Sequence, residues 1–138
     1  MNDLIASIAI SQLRKLKNFN RVRIKILKRY IFQLKDLKNF TFAIDYRLKD
    51  SCYWLLILKT KKRDKFINFL KINGISSTVH LMPLNFHPLY KKYKAKTPVS
   101  DKTWRDLVSL PLFIDLKKIQ IDYIVRKIKE FDENYSNF

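Results

Sequence analysis

Residues 74–90 read GISSTVHLMPLNFHPLY, and the segments on either side take their places from them. Gly74 is the only glycine of the chain. A lone glycine directly after a helical pattern is expected at the C′ position, where the backbone turns left-handed. Residues 76–82 then alternate as a short strand does, with the β-branched Thr78 and Val79 at the centre. Pro83 stops that strand, because proline brings no N–H to a ladder. Both histidines, His80 and His87, fall here, together with Pro83, Asn85, Pro88 and Tyr90. Two readings stand at this point. One is a strand running into a proline-shaped loop with surface histidines. The other is a strand end whose loop presents polar groups to a ligand.

Upstream of this stretch, Lys61, Lys62, Arg63 and Asp64 open a helix expected over residues 62–73, with Phe66, Ile67 and Leu70 facing inward. Before it, residues 51–59 are the clearest strand, seven of them apolar in an unbroken run from Cys52 to Leu58. Continuous apolarity predicts that both faces of this strand are covered. Cys52 is expected to be a small buried hydrophobe. Residues 51–82 thus read strand, helix, strand. Residues 39–50 form a mixed connection with a short edge strand expected over 40–44.

The N-terminal third is helical in pattern. Asn2 or Asp3 can cap it, and Leu4, Ile5, Ile8, Ala9, Leu13 and Leu16 recur at three- and four-residue steps. Ala6 and Ile10 widen the apolar face almost all round, which predicts burial against a surface the rest of a small domain cannot supply. Asn18, Phe19 and Asn20 are expected to interrupt this helix. A second one then runs over 19–37, with Phe19, Val22, Ile26, Tyr30, Leu34 and Leu37 in one stripe and Arg21, Arg23, Lys25, Lys28 and Arg29 around it.

Downstream, Lys91, Lys92, Lys94 and Lys96 interleave with Tyr90 and Tyr93. This is the best local case for a phosphate or nucleic-acid contact, set against a plain solvated loop. Ser100 is expected to cap a short helix carrying Trp104 and Leu107. Asp115 is expected to cap a last helix over 116–131, with Ile121, Ile124, Val125, Ile128 and Phe131 at helical spacing. Residues 133–138 read as a frayed tail.

Composition bounds what such a chain can do. Its 138 residues suggest one domain, with a helical entry over 1–37 and an α+β body over 38–132. A single glycine excludes G-x-G and Walker-type nucleotide loops. A single cysteine excludes an internal disulfide and a multi-cysteine metal site, and points to a reducing, cytoplasmic location. Seven residues of unbroken apolar sequence are far too few to span a membrane. The formal charge of +17 suits a polyanionic partner, so a free-standing basic module binding nucleic acid or another polyanion is the alternative function. The charge is spread from Arg14 to Lys129 rather than gathered in one tract, and the Lys, Ile, Asn, Phe and Tyr richness is that of AT-rich coding sequence. No paired carboxylates, Ser-His-Asp or Cys-His set is visible, and two histidines alone make no metal site. No residue is assigned as catalytic, cofactor-binding or metal-binding.

Three blocks, in order and spacing, resemble the DegT/DnrJ/StrS family of pyridoxal-phosphate-dependent sugar aminotransferases. In residues 1–13, Met1, Asp3, Leu4, Ala6, Gln12 and Leu13 match. In the central block Arg63 and Asp64 precede Gly74-Ile75, and Val79, His80, Pro83, Leu84, Pro88 and Tyr90 match. Leu81 stands where the family has Tyr or Phe, and Asn85 where it has His. Ser109-Leu110-Pro111-Leu112 is the third block. The resemblance covers residues 1–131 and corresponds to the C-terminal small domain of a fold-type I enzyme, which implies an α+β fold: a long helical entry and a small sheet covered by helices. It implies amino transfer to a keto-sugar nucleotide for glycan or polysaccharide biosynthesis, pyridoxal phosphate as cofactor, and a homodimeric complete enzyme. The lysine that holds the cofactor and the phosphate-binding residues belong to the family's large domain, which would lie upstream of Met1. The resemblance therefore implies that this chain needs that domain as partner, as a split half or remnant would, and binds no cofactor alone. It makes His80, Asn85 and Tyr90 the substrate-side candidates.

Overall fold

A computed structural model of the protein describes residues 2–46, 51–93 and 96–137. Met1 of the first family block and Lys94 of the basic loop lie outside the described residues. The elements are α1 (Asp3–Leu34), β1 (Thr41–Phe42), β2 (Leu56–Lys59), α2 (Arg63–Ile72), α3 (Pro98–Asp106), β3 (Leu107–Leu110) and α4 (Lys118–Glu133). Short 3-10 segments lie at Leu84–Phe86, Pro88–Tyr93 and Tyr135–Asn137. The α+β expectation holds.

α1 is one helix, not two. It runs unbroken through Asn18, Phe19 and Asn20. Asparagine in a helix interior costs only a few tenths of a kcal/mol against alanine, and no proline or glycine is present to end the helix. Asn20 is also occupied: its Oδ1 accepts from Arg23 Nη1 at 3.0 Å and its Nδ2 donates to Cys52 Sγ at 3.2 Å. Cys52 is therefore exposed and not the buried hydrophobe expected. The helix starts at Asn2, whose Oδ1 accepts from the Ile5 amide at 3.0 Å.

The sheet has the order β1-β2-β3, antiparallel throughout. The short edge strand expected near residues 40–44 is β1. The central strand is half as long as the apolar run suggests. Leu56 pairs with Leu110, and the next residue on β3's side is Pro111, which has no N–H to continue the ladder. Tyr46 takes over at that point: its hydroxyl accepts from the Ile57 amide at 2.8 Å and donates to the Leu55 carbonyl at 3.3 Å. Burial raises the Tyr46 phenol above its ordinary value, with the Ile57 bond acting the other way. The expectation that both faces of the run are covered also fails. Leu56 and Leu58 are buried, Ile57 and Lys59 are half-buried, and Trp54 is 69% exposed. β3, by contrast, is a strand that the sequence pattern does not announce.

The core lies between this sheet and α1, α2 and α4. Tyr30, Leu56, Leu58, Phe66, Leu70, Val108, Ile128 and Phe131 are essentially inaccessible to water. Phe131 is its hub, with ring centroids 5.0 Å from Phe66, 5.4 Å from Phe69, 5.9 Å from Tyr135 and 6.0 Å from Phe40. Tyr135 is drawn into this cluster, and Lys62 Nζ reaches its carbonyl at 2.6 Å, so the chain is still packed at a position expected to fray. Burial pushes the Tyr30 phenol well above its ordinary value, and its hydroxyl has no hydrogen-bond partner among the described residues. α4 begins after Lys117 rather than at Asp115, because Gln120 Oε1 accepts from the Lys117 amide at 2.8 Å and closes the first turn there.

α1 and α4 are joined across their polar faces by Arg29, whose Nη2 lies 2.6 Å from Asp122 Oδ1, with Gln33 Nε2 at 3.1 Å from the same oxygen. The hydrogen bonds from Arg29, then that from Gln33, hold the Asp122 carboxyl below its ordinary value of 3.8. A carboxylate depressed in the folded state adds stability above its unfolded pKa and loses it as pH falls through the folded one. Asp122→Asn should thus be less stable than the parent at neutral pH. The two unfolding curves should converge as pH drops below about 4; a gap that stays constant into acid would assign the effect to packing instead.

Candidate functional site

The site grows out of the end of α2. Gly74 has φ +71 and closes the helix: its amide donates to Lys71 O at 3.0 Å and the Ile75 amide to Leu70 O at 2.9 Å. That double bond pattern needs a left-handed residue at C′. The chain then turns towards β3 but forms only one bridge with it. Thr78 N donates to Ser109 O at 3.2 Å and Ser109 N to Thr78 O at 2.8 Å. The strand expected over 76–82 does not form in full. β3 is four residues long and already paired to β2 on its other edge, and Pro83 directs the chain away into the turn at Leu84–Phe86.

α3 holds the resulting loop at two points. At the loop's start, Trp104 Nε1 donates to the His80 carbonyl at 3.2 Å. Further along it, Asn85 Nδ2 donates to both oxygens of Asp101, at 3.0 and 3.2 Å, and Thr97 Oγ1 donates to Asp101 at 2.7 Å. Phe86 packs tilted against Trp104, 5.9 Å between centroids. Arg63 ties α2 to the same place, donating from Nη1 to the Trp104 carbonyl at 3.0 Å and lying 5.1 Å over its ring. α3 starts at Pro98, with Thr97 rather than Ser100 at the N-cap, since proline's fixed φ suits the first helical position. Leu107 belongs to β3, not to this helix.

The three candidates, His80, Asn85 and Tyr90, thus differ in setting. His80 is exposed, with its ring 5.9 Å from that of Trp54. Asn85 is half-buried; its amide is committed to Asp101, and its Oδ1 is buried with no partner among the described residues. Tyr90 is exposed on the next turn, its amide donating to His87 O at 3.0 Å. Lys92 Nζ stands 5.0 Å over the Tyr93 ring beside it. Asp101, Trp104, Thr97 and Trp54 are positions at this loop that the sequence does not single out as site residues. Only Asp101 leaves a trace there, as an acidic residue in the first turn of a helix opened by proline.

Pyridoxal phosphate needs a desolvated lysine in an enclosed pocket, a carboxylate for its pyridine nitrogen and an anchor for its phosphate. The described residues do not fit it. No described lysine is buried. A cavity of about 900 Å³ between α1 and Phe42, Ile44, Tyr46 and Tyr53 is an open groove lined in part by Ile24 and Ile31. No cluster of His, Cys, Asp or Glu among the described residues could hold a metal ion.

Over residues 1–129 the chain matches the model of the DegT/DnrJ/EryC1/StrS aminotransferase family. The chain belongs to this family. An uncharacterized protein of Methanocaldococcus jannaschii is 32% identical over 141 residues, which cover 94% of this chain but 36% of that relative. The chain spans about a third of the length of the relatives it matches. Among solved structures, an aminotransferase of Streptoalloteichus hindustanus superposes with a TM-score of 0.87 at 23% identity, over 94% of this chain and 36% of its own. An aminotransferase of Helicobacter pylori involved in the biosynthesis of pseudoaminic acid gives 0.86 at 21% identity, over 97% and 38%. These two likenesses show the fold. It is the small-domain part of a fold-type I DegT/DnrJ/EryC1/StrS aminotransferase, in which the central block and the Ser109–Leu112 block meet at the Thr78–Ser109 bridge. Among the described residues, no helix is long and apolar enough to cross a membrane.

Proposed function

We propose that this chain is the small-domain part of a nucleotide-sugar aminotransferase of the cytoplasm and that the loop over residues 80–90 forms the substrate side of its active site. The observation that carries the reading is the family match over residues 1–129, joined to a loop that α3 fixes at two points while His80 and Tyr90 stay open to solvent. A loop clamped by a helix presents groups in a set geometry, as binding loops on rigid scaffolds do. At His80 a neutral imidazole can donate or accept a hydrogen bond with a sugar hydroxyl or phosphate. Asn85 has one free carbonyl oxygen and acts mainly by holding the loop's shape. Tyr90 offers a phenol and an aromatic face. Pyridoxal phosphate would supply the electron sink for moving the amino group, and a large domain of the family would have to hold it.

The test has two parts. The chain alone, given pyridoxal phosphate, glutamate and a 4-keto nucleotide sugar, should show no turnover. Supplied with a family large domain that completes an active enzyme, it should support turnover, and His80→Ala should raise KM for the sugar nucleotide about tenfold, the loss of one good hydrogen bond. Turnover by the pure chain on one of its own lysines would defeat the partner requirement. Unchanged kinetics in both His80→Ala and Asn85→Ala, with folding intact, would reduce the loop to scaffold.

A further inference from the structure

The positive charges are scattered along the sequence, but α1 gathers five of them on one face. Arg14, Lys17, Arg21, Lys25 and Lys28 follow one another at steps of three, four, four and three residues. At about 3.6 residues per turn they fall within an arc of roughly 80°, one cation per turn over roughly 21 Å of helix. All five are exposed. The arc points away from Ile26, Leu27, Tyr30 and Leu34, which α1 buries in the core. No Asp or Glu occurs between Asp3 and Asp36, and none of the five makes an ion pair among the described residues. Arg29, on the flank towards α4, is by contrast held by Asp122. Like charges three or four residues apart weaken a helix. The row therefore opposes the stability of the element that carries it, and anions from outside the chain would relieve it.

We propose that this row is a contact surface for the phosphate backbone of a nucleic-acid duplex, a function separate from amino transfer. The shape of the row selects that partner. A straight line of cations on a rigid rod matches a linear polyanion. A duplex carries one phosphate charge per ~1.7 Å of its axis, so roughly twelve lie along the length of the row. An anionic membrane fits less well, because a helix lying on lipid needs an apolar face to insert. The arc holds no apolar side chain between Arg14 and Lys28, and the apolar face of this stretch is turned to the core. A single strand also fits less well. Such sites stack bases on aromatic rings, and no aromatic residue stands in the arc between Arg14 and Lys28. Contacts of this kind read charge and not base sequence.

Fluorescence anisotropy of the full chain with a labelled duplex of about 20 base pairs, from about 50 to 200 mM KCl, tests this. Changing all five residues to Gln, which has nearly the helix propensity of Lys and Arg, should leave the circular dichroism unchanged. It should weaken binding at least about thirtyfold at the lowest salt and reduce the slope of log K against log salt by about 4, nearly one per cation removed. A control removes the same charge elsewhere: Lys65, Lys71, Lys91, Lys102 and Lys129, all exposed, changed to Gln should cost no more than about threefold and reduce the slope by less than about 1. The milder pair Arg21→Gln and Lys25→Gln should reduce the slope by about 2 and reads the same surface if five changes disturb α1. Equal losses in the row variant and the control would assign binding to net charge alone and overturn the proposal. So would no binding at the lowest salt, or a single strand of the same length bound as tightly as the duplex. Binding that depends on the row but goes to phosphatidylserine vesicles in place of the duplex would assign the face to a membrane and overturn it as well.

Discussion

Replacing Phe131 with alanine should destabilise the protein by about 3–5 kcal/mol, the range for removing a large ring from a core that cannot collapse round the gap. Phe131 is fully buried and touches four aromatic partners that come from β1's approach, α2 and the chain after α4. Those partners hold one another as well, Phe40 and Phe66 at 4.8 Å, so the cavity stays open rather than filling. Chemical denaturation reads the change as a shift in midpoint at constant slope. A cost under about 1 kcal/mol would mean that this cluster is not the core's centre.

Asp132→Ala should cost about 2–3 kcal/mol for a different reason. Asp132 is 9% exposed, and its carboxylate accepts from the amides of Lys38 at 2.9 Å and Asn39 at 2.8 Å, and from Asn39 Nδ2 at 3.0 Å. It pins the turn after α1 to the last turn of α4. Alanine leaves two backbone donors without an acceptor, and a buried donor left unmet is dearer than the bond itself was worth. Asp132→Asn keeps one acceptor and aims a donor at the other amide, so it should fall between the two. Hydrogen exchange locates the effect: the Lys38 and Asn39 amides should lose protection in the alanine variant before the centre of α4 does. Uniform loss along the chain would show that Asp132 acts on the whole fold and not on this turn.

The features legible in the sequence are those decided locally. Gly74 requires a left-handed turn and has one; the periodic runs of α2 and α4 are helices whose buried faces carry Phe66, Leu70, Ile121, Ile128 and Phe131. What is not legible depends on partners distant in the chain. β2 stops at Leu56 because Pro111, 55 residues later, cannot continue the ladder. The strand expected over 76–82 shrinks to one bridge because its neighbour is too short to extend it. The same holds at the candidate site. His80 and Asn85 can be picked from the family blocks, but the helix that grips them, through Asp101 and Trp104, is joined to them only by folding. The break expected at residues 18–20 shows the opposite error, in which a weak local preference is given the force of a stop signal.

The unbroken course of α1 has a consequence for how its two halves come to exist. Starting a helix is the costly event, because several residues must be fixed before the first bond forms; lengthening one is nearly free. In α1 that start is underwritten by Ile26, Leu27, Tyr30 and Leu34, which the core holds in place. The bare half towards Asn2 needs no nucleus of its own and grows by propagation from an anchored end. Its order should thin gradually with distance from the core, one residue at a time, with the Asn2 cap as a weak stay at the far end. A surface that covers it would therefore be gripping a segment whose shape is already drafted, and would have little ordering left to do.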